Sequence, residues 1–386
     1  MKNPPPLALY VHWPFCLAKC PYCDFNSHVR ERIDSGEWER ALLADLEREA
    51  QRGRAPIASV FFGGGTPSLM PPALVERLLI RADELFGFTD GVEITLEANP
   101  SSVEAGNFAA LAAAGINRVS LGVQALDDAA LGRLGRLHSA DEALAALATA
   151  QRHFARVSFD LIYARPGQSP AAWEAELARA LGYGTEHLSL YQLTIEPGTR
   201  FASDVRRGEL VPLGDDEAAD LFDLTRAMTA AAGLPAYEIS NHARPGCESR
   251  HNLAYWRYQD YAGIGPGAHG RRGGIATVRH RKPENYLAAV GRQGDGVSEE
   301  RALGTREQAE EALMMGLRLA EGIDLAALGA RFGLSPEAMI DPGKLALYRA
   351  QGLVRVDGAR LLVAEPGMPL LDALLPELIA LESEPA

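Results

Sequence analysis

Cys16-Leu17-Ala18-Lys19-Cys20-Pro21-Tyr22-Cys23 sets three cysteines at C-x3-C-x2-C spacing, a few residues after an apolar run at 7–12 (LALYVH) that reads as a buried strand. Three thiolates on one short loop suit three corners of an iron-sulfur cube. Such cubes usually take four thiolates, so a fourth ligand comes from elsewhere or one iron stays open to a substrate or cofactor. Structural zinc also takes thiolate and imidazole, and His12, His28 and Cys247 are the available fourth ligands for that reading. The spacing favours a cluster, because zinc sites are mostly built from two separated pairs of ligands. On either reading the ligands hang from the C-terminal end of a strand.

The same unit recurs along the chain. A charged amphipathic helix at 37–52 leads to a strand at 57–62 (IASVFF), which runs into Gly63-Gly64-Gly65-Thr66-Pro67. Pro71 and Pro72 open a helix to about residue 85, and 92–96 (VEITL) is a strand ending at Glu97-Ala98-Asn99-Pro100. Helix 102–114 closes at Gly115, followed by strand 118–123, helix 140–154, strand 157–163, helix 170–181 and strand 187–193. Six strand-then-helix units in series predict a parallel α/β sheet curled into a partial (β/α)6, TIM-like barrel. The strand ends carry cysteines, glycines, Glu97, Asn99, Gln124, Asp160, Gln192 and Thr194, and in such barrels the C-terminal ends of the strands carry the chemistry. One pocket accounts for all of them.

Beyond Thr199 the alternation weakens. A helix at 215–232 and a short strand at 236–239 precede an irregular stretch, 241–270, rich in His, Tyr, Trp and Gly. Helices at 306–320, 324–332 and 336–351, with a hairpin of 353–356 and 360–363 around Asp357-Gly358, predict a small, mainly helical, winged-helix-like C-terminal domain. The expected division is a barrel over 1–240, an irregular connecting region over 241–300 and the helical domain over 301–386, ending in a solvated acidic tail at 382–384.

Bulk properties narrow the function classes. The chain of 386 residues is 47% hydrophobic and 23% charged, enough for a sizeable core without a disordered signature. Its net charge of −13 and pI near 5.3 argue against a nucleic-acid partner, which would require a basic surface. Only four cysteines occur and three share one loop, so they are ligands and not a disulfide framework, and a reducing cytoplasm is expected. The first residues lack a signal-peptide pattern, and no apolar run approaches the ~20 residues of a membrane helix. The glycine turn lacks the lysine and spacing of a P-loop and is no G-x-G-x-x-G fingerprint; it lets a ligand approach the backbone closely.

YVHWPFCLAKCPYCDFNS, FFGGGTP, EANP, VSLGVQ, GRLHS and FDLIYARPG, in this order, resemble the radical S-adenosylmethionine proteins of the oxygen-independent coproporphyrinogen III oxidase family, over most of residues 7–270. The resemblance implies that Cys16, Cys20 and Cys23 bind a [4Fe-4S] cluster whose fourth iron is chelated by S-adenosylmethionine. It places Tyr10, Tyr22, Gly64, Gly65 and Thr66 beside the methionine or adenine, and Glu97, Gln124, Arg136 and Asp160 at polar S-adenosylmethionine contacts. The chemistry it implies is one-electron reductive cleavage to a 5′-deoxyadenosyl radical. Two departures count against oxidase activity. The oxidases carry a further cysteine where this chain has Phe25, and only fifteen residues precede Cys16, too few for their N-terminal arm.

His251-Asn252-Leu253-Ala254-Tyr255-Trp256 fits H-N-x-x-Y-W, the mark of the heme-chaperone (HemW-type) branch of that family. An imidazole can ligate heme iron, and tyrosine and tryptophan can pack on a porphyrin face. His251 is the expected ligand, with His242, Cys247 and His269 as alternatives; without the hexapeptide, a lone histidine reads as a satisfied structural one. The resemblance therefore implies a heme chaperone in the cytoplasm, with heme and heme-accepting proteins as partners, respiratory enzymes at the membrane among them. A homodimer tied to cluster occupancy is a further expectation. The alternative is a coproporphyrinogen III oxidase.

Overall fold

The apolar runs become the strands of one sheet in a computed structural model that describes residues 5–30 and 32–380. β1 (Leu7–Trp13), β2 (Ile57–Gly64), β3 (Phe88–Ala98), β4 (Arg118–Gln124), β5 (Arg156–Tyr163) and β6 (His187–Gln192) pair in chain order, all parallel. Five further strands widen the sheet to eleven without closing it. β7 (Asn241–Ala243) lies antiparallel on β6, and β8 (Tyr261–Ile264) lies parallel on the other side of β1. β9 (His269–Arg272), β10 (Ile275–Arg279) and β11 (Val297–Ala302) continue antiparallel from β8. The expected six-unit α/β barrel is present and its ends stay apart.

Alternation along each strand sorts the side chains. On β1, Leu9, Val11 and Trp13 join Leu42 and Leu46 of the helix Ser35–Gln51 in the main core. Tyr10 turns the other way, its ring stacked on Phe61 of β2 at 6.3 Å. The inward positions of later strands are polar and buried, and they satisfy one another. Ser120 Oγ donates to Asp160 at 3.0 Å, Ser158 Oγ lies 2.7 Å from His187 Nδ1, and Ser189 Oγ donates to Asn241 at 2.9 Å. The barrel interior is therefore a hydrogen-bonded polar lining, suited to ligands.

Several elements differ from the sequence expectation. The helix expected over 102–114 breaks into Ser102–Ala105 and Phe108–Ala113, because Gly106 and Asn107 are poor helix formers and Glu104 is drawn aside to accept from Asn99 N and Ser68. The strand expected at 236–239 is instead a turn whose Glu238 carboxylate accepts from Ser240 N, and the strand itself is β7, Asn241–Ala243. The stretch 241–270 is not irregular: it holds β7, the helix Arg250–Trp256, β8 and the start of β9, elements of three to seven residues, too short to show periodicity. The helix expected over 336–351 splits at Asp341, which caps a second helix opened by Pro342, a residue without the N–H that continuity needs.

The C-terminal part is mainly helical, as expected, and its hairpin, Val354–Asp357 with Arg360–Val363, gains a third strand, Ile323–Asp324. Its core, including Leu313, Leu317, Leu361 and Leu374, also takes in Phe222 and Tyr258 from the barrel side. The acidic tail at 382–384 lies outside the described residues. No helix among them is long and apolar enough to cross a membrane.

Candidate cofactor and ligand sites

The loop after β1, the turn after β2 and the ends of β3, β4 and β5 meet in one pocket of about 240 Å³. Cys16, Cys20 and Cys23 line it together with Tyr22, Gly64, Gly65, Thr66, Glu97, Gln124, Arg136 and Asp160. Eight of the nine residues expected beside S-adenosylmethionine thus converge with the cysteines, Tyr10 excepted: it sits one layer deeper, bonding His12 Nδ1 through its hydroxyl at 3.0 Å. The glycines are sterically required. Gly64 has φ +110°, and a Cβ there would stand 2.6 Å from the His12 ring; one on Gly65 would stand 2.7 Å from the Phe15 carbonyl oxygen.

Each thiol has a donor or hydroxyl beside it. Thr66 Oγ1 donates to Cys16 Sγ at 3.3 Å, Arg136 Nη1 donates to Cys20 Sγ at 3.6 Å, and Ser27 Oγ lies 3.9 Å from Cys23 Sγ. Burial pushes the thiols of Cys16 and Cys23 up from their usual range, so a metal binding there would have to displace their protons. A closed single-ion zinc site is not preformed: no three His, Cys, Asp or Glu side chains among the described residues converge around one ion.

Two further observations fit an open-iron cluster carrying a polar ligand. Gln124, at the end of β4, has φ +71°, a conformation strained for a residue with a side chain and common where function demands it. Its buried Oε1 and the buried Nε of Arg136 have no hydrogen-bond partner among the described residues, and both residues line the pocket. Arg136 is held in place by Nη2, which donates to Asn99 Oδ1 at 2.5 Å and Gly122 O at 2.8 Å. Asn99 in turn donates to Thr66 Oγ1 at 3.1 Å, linking the arginine to the cysteine loop. Sequence reasoning marked Asn99 only as a strand-end polar residue. Its place two positions after Glu97 was the available signal.

Glu97 accepts from Gly64 N at 3.3 Å, and burial, followed by repulsion from Asp160, pushes its carboxyl up to about 8. Burial likewise raises Asp160 to about 6. Two carboxyls held above their usual range await a partner, a hydroxyl or a cation, that would favour their charged forms.

A second, larger cavity of about 1230 Å³ lies on the open side of the barrel, between β6 and the antiparallel strands β9 to β11, and is closed by the C-terminal helices. Phe222, Tyr255, Trp256, Tyr261, Met314 and Met315 supply aromatic and thioether surface, and Arg271, Arg301 and Arg318 line it as ion pairs with Glu311, Glu307 and Asp372. The hexapeptide's helix, Arg250–Trp256, is capped by Ser249 and plugs the N-terminal end of the barrel, where Glu93 accepts from His251 N at 3.2 Å.

Tyr255 and Trp256 reach the cavity, and His251 does not. The His251 ring is stacked on Phe61 at 5.1 Å and only 1% exposed, with Nδ1 at 3.0 Å from Ser59 Oγ and Nε2 at 3.1 Å from the Tyr255 hydroxyl. Both nitrogens are engaged and burial lowers its pKa to about 3, the arrangement of a satisfied structural histidine. Of the alternatives, His242 is buried against Thr229, Cys247 bonds Glu186, and His269 lines the cavity with its side chain exposed.

Comparison with known proteins agrees with this architecture. The Radical SAM superfamily matches residues 10–180 and the HemN C-terminal domain matches residues 303–370. The mouse protein "Radical S-adenosyl methionine domain-containing protein 1, mitochondrial" is 40% identical, over 95% of this chain and 86% of its own length. "Heme chaperone HemW" of Escherichia coli K12 is 37% identical, over 97% of this chain and 98% of its own. The structure titled "Coproporphyrinogen III oxidase (HemN) from Escherichia coli is a Radical SAM enzyme" superposes with a TM-score of 0.82 at 24% identity, covering 96% of this chain and 89% of that one, a likeness of fold.

Proposed function

The chain belongs to the family of radical S-adenosylmethionine proteins that includes the bacterial heme chaperones HemW, and we propose that it is itself a heme chaperone, binding heme on the open side of the barrel and passing it to heme-requiring proteins. The observation that carries this reading is that Tyr255 and Trp256, the aromatic pair of the hexapeptide, stand in the wall of the 1230 Å³ cavity. Small-molecule pockets usually span about 300–1000 Å³, so this one has room for a large flat ring. Aromatic faces suit a porphyrin, and Arg271, Arg301 and Arg318 would meet its propionates by exchanging their present carboxylate partners.

In the cysteine pocket, Cys16, Cys20 and Cys23 would hold a [4Fe-4S] cluster and the surrounding polar groups would hold S-adenosylmethionine at the open iron. When bound, that pair supplies one-electron reductive chemistry. The chain's own residues position it. Thr66, Arg136 and Ser27 offer hydrogen bonds to the sulfurs, and such bonds tune a cluster's potential. The free Nε of Arg136 offers a donor to a carboxylate, while Gln124, Glu97 and Asp160 offer acceptors to hydroxyl and ammonium groups. Tyr10 supports the wall through His12. Phe25, exposed at 63% on the rim of the same pocket, stands where the oxidases carry another cysteine, which weighs against oxidase chemistry.

On this reading the unit expected over 1–240 carries the cluster, that over 241–300 holds the hexapeptide wall, and the described part of 301–386 borders the heme cavity. The protein works in the cytoplasm, its acceptors include respiratory enzymes at the membrane, and a homodimer depends on cluster loading, which gel filtration before and after iron-sulfur reconstitution tests. The main test is anaerobic. Heme added to the purified protein should shift its Soret band and saturate, while coproporphyrinogen III with S-adenosylmethionine and a reductant should remain unconverted. Formation of protoporphyrinogen IX, or an unmoved Soret band, would overturn the proposal.

A further inference from the structure

The hexapeptide histidine is walled off from the cavity, which leaves the iron ligand to be found elsewhere. Four groups were available near it, His242, Cys247, His251 and His269. Three of them are already engaged by Thr229, Glu186, and Ser59 with Tyr255, respectively. His269 opens β9, lines the cavity and is solvent-exposed, and its ring has no hydrogen bond to another group among the described residues. We infer that His269, and not His251, supplies the axial imidazole to heme iron in the open-side cavity; this rests on the heme-binding reading above.

The backbone carrying His269 is built to hold one position. Gly263 passes so close to it that a Cβ there would lie 1.9 Å from His269 O. Gly265, at φ +94°, packs on the His12 carbonyl, and its N–H donates to Asp45 Oδ2 at 3.1 Å. Pro266 O accepts from Asn26 Nδ2 at 2.9 Å, and a Cβ on Gly267 would meet the same amide at 2.5 Å. Asn26 follows Cys23 by three residues, so the turn is clasped directly to the cysteine loop. The main chain is thus fixed while the ring's nitrogens stay free, so binding has only the two side-chain torsions of His269 left to order. Although the residue reaches solvent, partial desolvation by the cavity wall, with Arg281 and Arg279 nearby, lowers its pKa toward the neutral form that binds metal, and Glu299 opposes them. The imidazole nitrogen donates its lone pair to iron and no redox change is required.

The test is hemin titration of the full-length protein, read by Soret position and by the low-spin EPR signal of the ferric heme. Removing an outer-shell partner of a metal ligand already costs about 10–100-fold in affinity, so His269→Ala should weaken heme at least about tenfold and abolish the wild-type coordination signature. Added imidazole should restore that signature in heme that stays with His269→Ala through gel filtration, which a merely misfolded variant would not retain. His251→Asn should retain the signature. Wild-type spectra from His269→Ala, or their loss in His251→Asn alone, would overturn the assignment. A wild-type protein that binds no heme would instead sink the chaperone reading, and the ligand with it.

Discussion

Asp45 offers the sharpest test of how the fold positions these sites. It lies on the helix Ser35–Gln51, 0% exposed, and its Oδ2 accepts from Arg279 Nε at 2.9 Å, Tyr286 Oη at 2.9 Å and Gly265 N at 3.1 Å. Arg279 is itself 1% exposed, and its other partner is Glu49, at 2.8 Å. Asp45→Ala would leave a buried guanidinium half-paired and strand a buried hydroxyl and a main-chain N–H. Breaking a buried pair from one side costs about 3–5 kcal/mol. Because Glu49 still neutralises Arg279, the lower end applies, and about 3 kcal/mol is the expected loss. Urea denaturation should show it as a lower midpoint at unchanged slope. Trp38 stacks on Tyr286 at 5.8 Å with the rings 5° from parallel, so its fluorescence reports on this network directly. A control at the exposed Arg301–Glu307 pair, Glu307→Gln, should change stability by less than about 1 kcal/mol. A loss below about 1 kcal/mol for Asp45→Ala would refute the reasoning, since it would mean the network is no stronger than a surface pair.

Gly64→Ala should reduce S-adenosylmethionine binding in calorimetry and lower stability by about 1–3 kcal/mol, because the new methyl combines a φ of +110° with contact at 2.6 Å to the His12 ring; wild-type binding would show that the turn can move. Glu97 makes the ligand-free protein sensitive to pH. Its folded pKa, raised to about 8 from about 4.5, means the folded state holds a proton that the unfolded state has released. Its contribution to stability is therefore lost as pH rises from about 4.5 to 8, with Asp160, raised to about 6, adding over the lower part of that window. Thermal melts should fall across it, and Glu97→Gln should flatten the fall; parallel curves would show that Glu97 titrates normally. In Cys20→Ser, reconstitution should no longer yield the iron-sulfur absorption of the wild type, and undiminished iron and sulfide would remove Cys20 from the ligand set.

Much of this was legible in the sequence because it is local. C-x3-C-x2-C spacing, the glycine turn and the polar strand ends are each set within a few residues, and a parallel α/β order brings all strand ends to one side. Hence Cys16, Glu97, Gln124 and Asp160 share a pocket, as their positions at strand ends predict, whereas Arg136, which lies between two helices, was marked only by the family resemblance. The short elements between 241 and 270 escaped the reading because three to seven residues hold too little periodicity, and because β8 gains its place only by pairing with β1, some 250 residues earlier.

By itself, then, the sequence determined the cofactor chemistry, the barrel and the hexapeptide that marks a heme-binding branch. Only the tertiary structure decided which histidine meets the cavity. His251 and Tyr255 stand one turn apart on the same helical face, and the helix plugging the barrel turns the histidine inward onto Ser59 while its tyrosine reaches the opening. His269 stands in the cavity wall because β9 pairs between β8 and β10 on the open side of the sheet, and the clasp from Asn26 to Pro266 spans 240 residues. Neighbours that distant are brought together by strand pairing and packing, which no run of adjacent residues encodes.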